Sequence, residues 1–163
     1  MLVLAVMTLS PACTNEKNIS STPNNGDVFI YKRRGPTVAP EYRRDYTIRV
    51  EPAEVYFAID SYDEILYRDS AKLSAIAYTG FVQSLTALQI AKKEYKPGSF
   101  MCTGGVSDNL TLYAGSSKEI DGFIYYCAGE KHGSLQGDVA AAAALFKALI
   151  PNLEKKIEAT EKD

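Results

Sequence analysis

The chain has 163 residues, 46% of them hydrophobic and 23% charged, which suits one globular domain and leaves little room for two. Eighteen basic residues against twenty acidic ones give a net charge of −2, which argues against nucleic-acid binding, whose surfaces carry a strong basic excess. Eleven tyrosines stand beside no tryptophan; half-buried sheet positions are their usual place, and partner-binding surfaces are another.

Residues 2–12, LVLAVMTLSPA, carry no charge. They are too few to span a bilayer as a helix, which needs about 20 residues, and match the apolar region of a secretory signal instead. The run ends Leu9, Ser10, Pro11, Ala12, Cys13. This LSPAC stretch resembles the lipobox of small bacterial cell-envelope lipoproteins. The resemblance implies a signal peptide over residues 1–12, cleavage after Ala12 and a diacylglyceryl thioether on Cys13. It also implies an outer-membrane lipid anchor, with the protein facing the periplasm or the cell surface. A buried N-terminal strand with a chance cysteine is the alternative. The following TNEKNISSTPNNGD is too polar to pack a core, so residues 13–26 read as lipidated cysteine and flexible tether. Residues 27–163 are then the folded domain.

From Asp27 the texture turns to short alternating segments. VFIYK (28–32) is the first, and as an edge strand it could recruit a partner by strand addition. YTIRV (46–50) puts Tyr46, Ile48 and Val50 on one face, and VYFAI (55–59) does the same with Val55, Phe57 and Ile59. ILYR (65–68) completes an antiparallel meander. Asp60, Asp63 and Glu64 sit in DSYDE, which has the composition of a solvated turn.

The period then changes. Between Ser70 and Lys93 apolar residues recur at Leu73, Ile76, Ala77, Phe81, Leu85 and Leu88, which predicts one helix. Asp69 or Ser70 would cap its start, Lys92 and Lys93 would suit its end, and Pro97–Gly98 would stop it. Gly80 in its middle suggests close backbone packing. NLTLY (109–113) and FIYYC (123–127) read as a hairpin. Gly137 and Asp138 open a second helix, with Leu145, Phe146, Leu149 and Ile150 inward and Pro151 ending or kinking it. Leu153 and Ile157 would continue its stripe. The order of strands, helix, hairpin and helix predicts an α+β fold, an antiparallel sheet with two helices packed on one face.

With Cys13 lipidated, Cys102 and Cys127 remain, and an exported protein invites a disulfide between them. Two inert buried thiols are the alternative. No zinc set is legible from these cysteines and the only histidine, His132, and no cofactor motif is present.

Two regions are candidate binding loops. Arg33, Arg34, Tyr42, Arg43 and Arg44 form a basic, aromatic loop suited to an anionic partner, unless Asp27, Glu41, Asp45 and Glu51 neutralise it. Thr103, Gly104 and Gly105 follow Cys102, and His132 follows Cys127, so a bridge would bring both loops to one end of the sheet. No catalytic residue can be assigned. The expected function is a lipid-anchored, non-enzymatic binding or inhibitory module for an envelope protein, peptide or glycan. The alternatives are a small hydrolase using His132 with Asp138, Asp108 or Tyr126, and a purely structural envelope component.

Overall fold

The computed structural model describes residues 26–62, 64–96 and 104–161. Cys13, the signal and tether segments, Asp63, Pro97, Gly98, Cys102 and Thr103 lie outside them. Four antiparallel strands open the fold: β1 (Val28–Arg34), β2 (Asp45–Glu51), β3 (Glu54–Ser61) and β4 (Glu64–Lys72). Helix α1 (Ala75–Ala87) and the short β5 (Ala91–Lys92) follow. Then come β6 (Val106–Ala114), β7 (Ser117–Cys127), β8 (Glu130–Gly133) and β9 (Leu135–Gln136). Helices α2 (Val139–Ala148) and α3 (Leu153–Glu158) close the chain.

The main sheet has seven antiparallel strands in the order β4-β3-β2-β1-β6-β7-β8, and β5 pairs with β9 in a separate ribbon. The α+β class is as expected. The place of VFIYK is not, because β1 is the central strand, bonded to β2 on one side and β6 on the other. A strand with both ladders filled has no free edge, so strand addition there is ruled out. The edges are β4 and the four-residue β8.

Alternation builds the core as read from the sequence. Phe29 and Tyr31 of β1, Tyr46, Ile48 and Val50 of β2, and Val55, Phe57 and Ile59 of β3 are all buried on one face. Leu110, Leu112, Ile120 and Ile124 extend that face across β6 and β7. The helices cover it through Phe81 of α1 and Phe146 of α2, whose rings meet edge-on at 5.0 Å. Phe81 also meets Phe29 at 5.6 Å, and Phe146 stacks on Tyr31 at 5.5 Å. These four rings join sheet and helices in geometries aromatic pairs favour.

The first helix is shorter than its periodicity predicted. β3 is eight residues long and draws β4 on to Lys72, so Asp69 and Ser70 are strand residues. Ser74 caps α1 instead, its hydroxyl accepting the Ala77 N–H at 3.2 Å. The buried face is Tyr78, Phe81, Val82 and Leu85, while Ile76 is 87% exposed. Nothing lies within 4 Å of a Cβ built on Gly80, so that glycine marks no close approach. Lys92 belongs to β5 rather than to a helix end.

The second helix behaves as read. Asp138 caps α2 by accepting the Ala141 N–H at 3.0 Å, and the helix ends at Ala148, with Leu149 as its C-cap, two residues before Pro151 could interrupt it. Phe146 and Ile150 are buried, with Leu145 and Leu149 packed against the core. Leu153 and Ile157 of α3 carry the stripe onward. Just before α2, Gly137 has φ +88°, and a Cβ there would lie 2.5 Å from the Gln89 carbonyl. Only glycine lets the start of α2 sit this close to the end of α1, where Asp138 N–H bonds the Leu88 carbonyl. Among the described residues no helix is long and apolar enough to cross a membrane.

Candidate functional site

α1 and α2 cover one face of the sheet, and on the other face Arg49, Tyr56, Arg68 and Ser70 are exposed. Over β2, β3 and β4 that other face holds a groove of about 870 Å³, lined by Thr47, Arg49, Tyr56, Ala58, Arg68 and Ser70 together with the carboxylates of Glu51 and Asp69. Register explains the set: Thr47, Ala58 and Arg68 are direct neighbours across the three strands, and so are Arg49, Tyr56 and Ser70. Ala58, small and central, leaves the floor low between longer side chains. Arg49 is held by Glu51 at 2.6 Å, and the Tyr56 hydroxyl donates to Glu54 at 2.8 Å. Arg68 has no hydrogen-bond or ion-pair partner among the described residues and is exposed.

Nearer the centre of this face, Lys32 Nζ reaches both oxygens of Asp60, at 3.2 and 3.3 Å. Asp60 is 9% exposed and is the next-to-last residue of β3. The solvated turn read from DSYDE therefore does not extend to Asp60, whose charge is buried and paired.

One end of the sheet gathers several of the residues singled out in the sequence. Arg34, Ser107, Tyr125 and His132 are successive register partners across β1, β6, β7 and β8. Gly105 N–H donates to the Tyr125 hydroxyl at 3.0 Å, and a Cβ on Gly105 would come within 2.6 Å of that ring's atoms. His132 packs against Tyr125 at 5.2 Å and stacks on Tyr95 at 5.9 Å. The glycine loop and the histidine loop thus meet at one end, with Gly104 beside them at φ +90°. Cys127 is buried at the end of β7 and has a partner, while Cys102 lies outside the described residues.

The arginine loop is not a free basic patch. Arg33 points to the helix side, where Nη1 donates to Asp108 Oδ1 at 2.7 Å. Burial works to lower the Arg33 pKa, but the hydrogen bond and charge of Asp108 outweigh it and the value rises. Asp108 also accepts the Tyr31 hydroxyl at 2.7 Å. Burial first, then Tyr46 and Asp108, pushes the Tyr31 phenol far above its ordinary range. Arg43 clamps Asp45 through two nitrogens, at 3.0 and 2.9 Å, and lies 4.4 Å over the Tyr62 ring. Arg44 donates to the Thr160 carbonyl at 2.5 Å and so ties the C-terminal turn to β2. Arg34 and the 74%-exposed Tyr42 remain turned to solvent.

His132 lines a cavity of about 240 Å³ with Tyr126, Asp138, Lys93 and Lys131. Asp138 is engaged as the α2 cap, and Asp108 as the partner of Tyr31 and Arg33. The Tyr126 phenol is raised by burial and then by the charge of Asp108, which makes it a poorer acid and keeps it protonated. Among the described residues no three His, Cys, Asp or Glu side chains converge to hold a metal ion.

The groove residues Tyr56, Arg68 and Ser70 were missed in the sequence. Their strict alternation on β3 and β4 is the signal that was available, but reading Ser70 as a helix start broke it. No protein-family model matches the chain, and no curated protein or solved structure does either.

Proposed function

We propose that the chain is a non-enzymatic binding or inhibitory module of the bacterial cell envelope, held at the outer membrane by lipid on Cys13. The observation that carries the binding part is the one-sided helix layer. It leaves a broad, shallow groove of about 870 Å³ open on the other face, a shape for an extended or flat partner rather than an enclosed small molecule. The groove offers a tyrosine, two hydroxyls and the exposed Arg68, while Arg49 is balanced by Glu51 and Asp69 by Lys156, a set suited to a peptide, a protein face or a glycan that brings a carboxylate to Arg68. The lipid anchor and the Cys102–Cys127 bridge rest on the sequence alone and belong to the same proposal.

The test uses the full chain in detergent as bait for solubilised envelope material. Wild type should retain a protein, peptide or glycan saturably, and Tyr56→Ala with Arg68→Ala should lose it while melting like wild type. A bait that retains nothing saturable overturns the reading and favours a purely structural component.

The shared cavity of His132, Tyr126 and Asp138 favours a second reading, a small hydrolase. Its carboxylate is occupied by the helix cap, so hydrolysis would have to proceed without a free Asp138 to orient the imidazole. Hydrolysis of an activated ester that is abolished by His132→Ala would establish it; equal rates remove it.

A further inference from the structure

We infer that β4 is the docking edge of this module, and that its occupant is an extended peptide segment of a partner protein with alternating acidic and apolar residues. The inference rests on the binding reading above and names the chemistry of the partner.

β4 is nine residues long, stands at the end of the sheet and is exposed over most of its length. Its backbone polarity can be assigned. Leu73 N–H turns inward to the Ala53 carbonyl at 2.8 Å, whereas Ser70 N–H is met by its neighbour's carboxylate, Asp69 Oδ1, at 2.9 Å. Antiparallel strands alternate in this respect, so Arg68, Ser70 and Lys72 present N–H and C=O groups to the free edge. Those groups are a template for one more strand.

A depression flanks this edge on each face. On the open face lies the groove, where Arg49 is already bonded to Glu51 and Arg68 is the cation left for a ligand among the described residues. On the helix face a smaller cavity of about 230 Å³ runs between β4 and the α2–α3 turn, and its apolar lining is Val55, Phe57, Ala71, Leu149, Ile150 and Pro151. Lys156 stands at its rim, bonded to Asp69 at 2.8 Å and to the Tyr67 hydroxyl at 2.8 Å.

An added strand sends alternate side chains to opposite faces. Residues paired with Arg68 and Ser70 would lie over the groove, where the exposed Arg68, without an ion-pair partner among the described residues, favours a carboxylate. Residues paired with Asp69 and Ala71 would lie over the apolar cavity. The charges along β4 also deter indiscriminate edge pairing, which is their ordinary use. Mere protection, however, requires neither depression. Asp69 on Ser70 N–H is a local guard that a docking strand has to displace.

The probe is a synthetic peptide of alternating glutamate and valine, about as long as β4, titrated into the full chain. Two controls accompany it: a lysine–valine peptide, and the glutamate–valine peptide N-methylated on alternate residues. The expected result is slowed hydrogen exchange at Arg68, Ser70 and Lys72 amides, and binding about tenfold tighter than that of the lysine peptide. Arg68→Glu should reverse that preference. N-methylation should abolish binding, and this arm decides even if Arg68→Glu does not fold. Equal binding of the N-methylated peptide, no protection on β4, or β4 protected by self-association of the chain at sedimentation equilibrium would each overturn the inference. If the peptides fail while an envelope ligand is still retained through Tyr56, the edge is wrong and the binding module stands.

Discussion

Arg33 and Asp108 face each other across the central strands β1 and β6, with Nη1 2.7 Å from Oδ1 and a separation of 75 positions along the chain. The same oxygen holds the hydroxyl of Tyr31, so one carboxylate fixes two donors at the end of the core. Asp108→Ala would leave a buried phenol and a half-buried guanidinium unpaired. The expected loss is roughly 2–4 kcal/mol in urea denaturation, less than for a fully buried pair because the Arg33 side chain is 30% exposed. Arg33→Ala should cost less, since Asp108 keeps Tyr31. Equal losses would show that the pair does not hold this end of the core.

Alkaline pH should unfold the protein through its tyrosines. Tyr78 is pushed up to about 12 by burial and then by the charge of Asp27, and Tyr31 is raised further. A phenol whose pKa is raised on folding keeps its proton in the native state while the unfolded chain has lost it. Stability is therefore full below pH 10 and falls as pH rises from the unfolded value toward the folded one. The slope is about −1.4 kcal/mol per pH unit for each such tyrosine in that window. Denaturation midpoints between pH 9 and 12 measure it, and Tyr78→Phe should flatten the slope by one proton. An unchanged slope in that variant would remove Tyr78 from the account.

The aromatic contacts make a contrast between two helix residues. Phe146→Ala removes the ring that meets both Tyr31 and Phe81 and should cost about 3–5 kcal/mol. Ile76→Ala, on the solvent side of α1, should stay within about 0.5 kcal/mol. Thermal melting of the two variants compares them directly, and a large loss at Ile76 would mean that α1 buries a different face.

How much of this was legible beforehand follows from the range of each interaction. The buried faces of β2 and β3 could be read because alternation is local: Tyr46, Ile48 and Val50 carry their own signal. The cap at Asp138 and the stop at Pro151 are local too. The start of α1 was misread because Leu73, Ile76 and Ala77 fit a helical period, while pairing with β3 decided that Asp69 to Lys72 stay extended. The central place of β1 was invisible for the same reason. Its second neighbour, β6, is supplied by residues more than 70 positions away. Nor could the loop arginines be told apart, since the partners of Arg33 and Arg44 lie at Asp108 and Thr160.

The cysteines separate cleanly by experiment. Cys13→Ser should move the protein from the membrane fraction to the soluble fraction without changing its melting temperature. Cys102→Ser and Cys127→Ser should each lower stability by about 3 kcal/mol, as expected for a closed loop of this length, with the double variant no worse than either single. Free thiols at both positions in the native, unreduced protein would dismiss the bridge, and an unacylated Cys13 would dismiss the anchor.

The register of β1 also sets a polarity for the whole molecule. Its first residue pairs with Tyr113, beside the β2–β3 and β6–β7 turns, and its last lies in the row that runs to His132. If lipid on Cys13 anchors the chain, as proposed above, attachment ahead of Gly26 puts the turn-bearing pole at the root of the tether. The glycine and histidine loops would then point outward, about 20 Å away along the strand, and β4 would stand upright between the two poles, open to a neighbour approaching from the side.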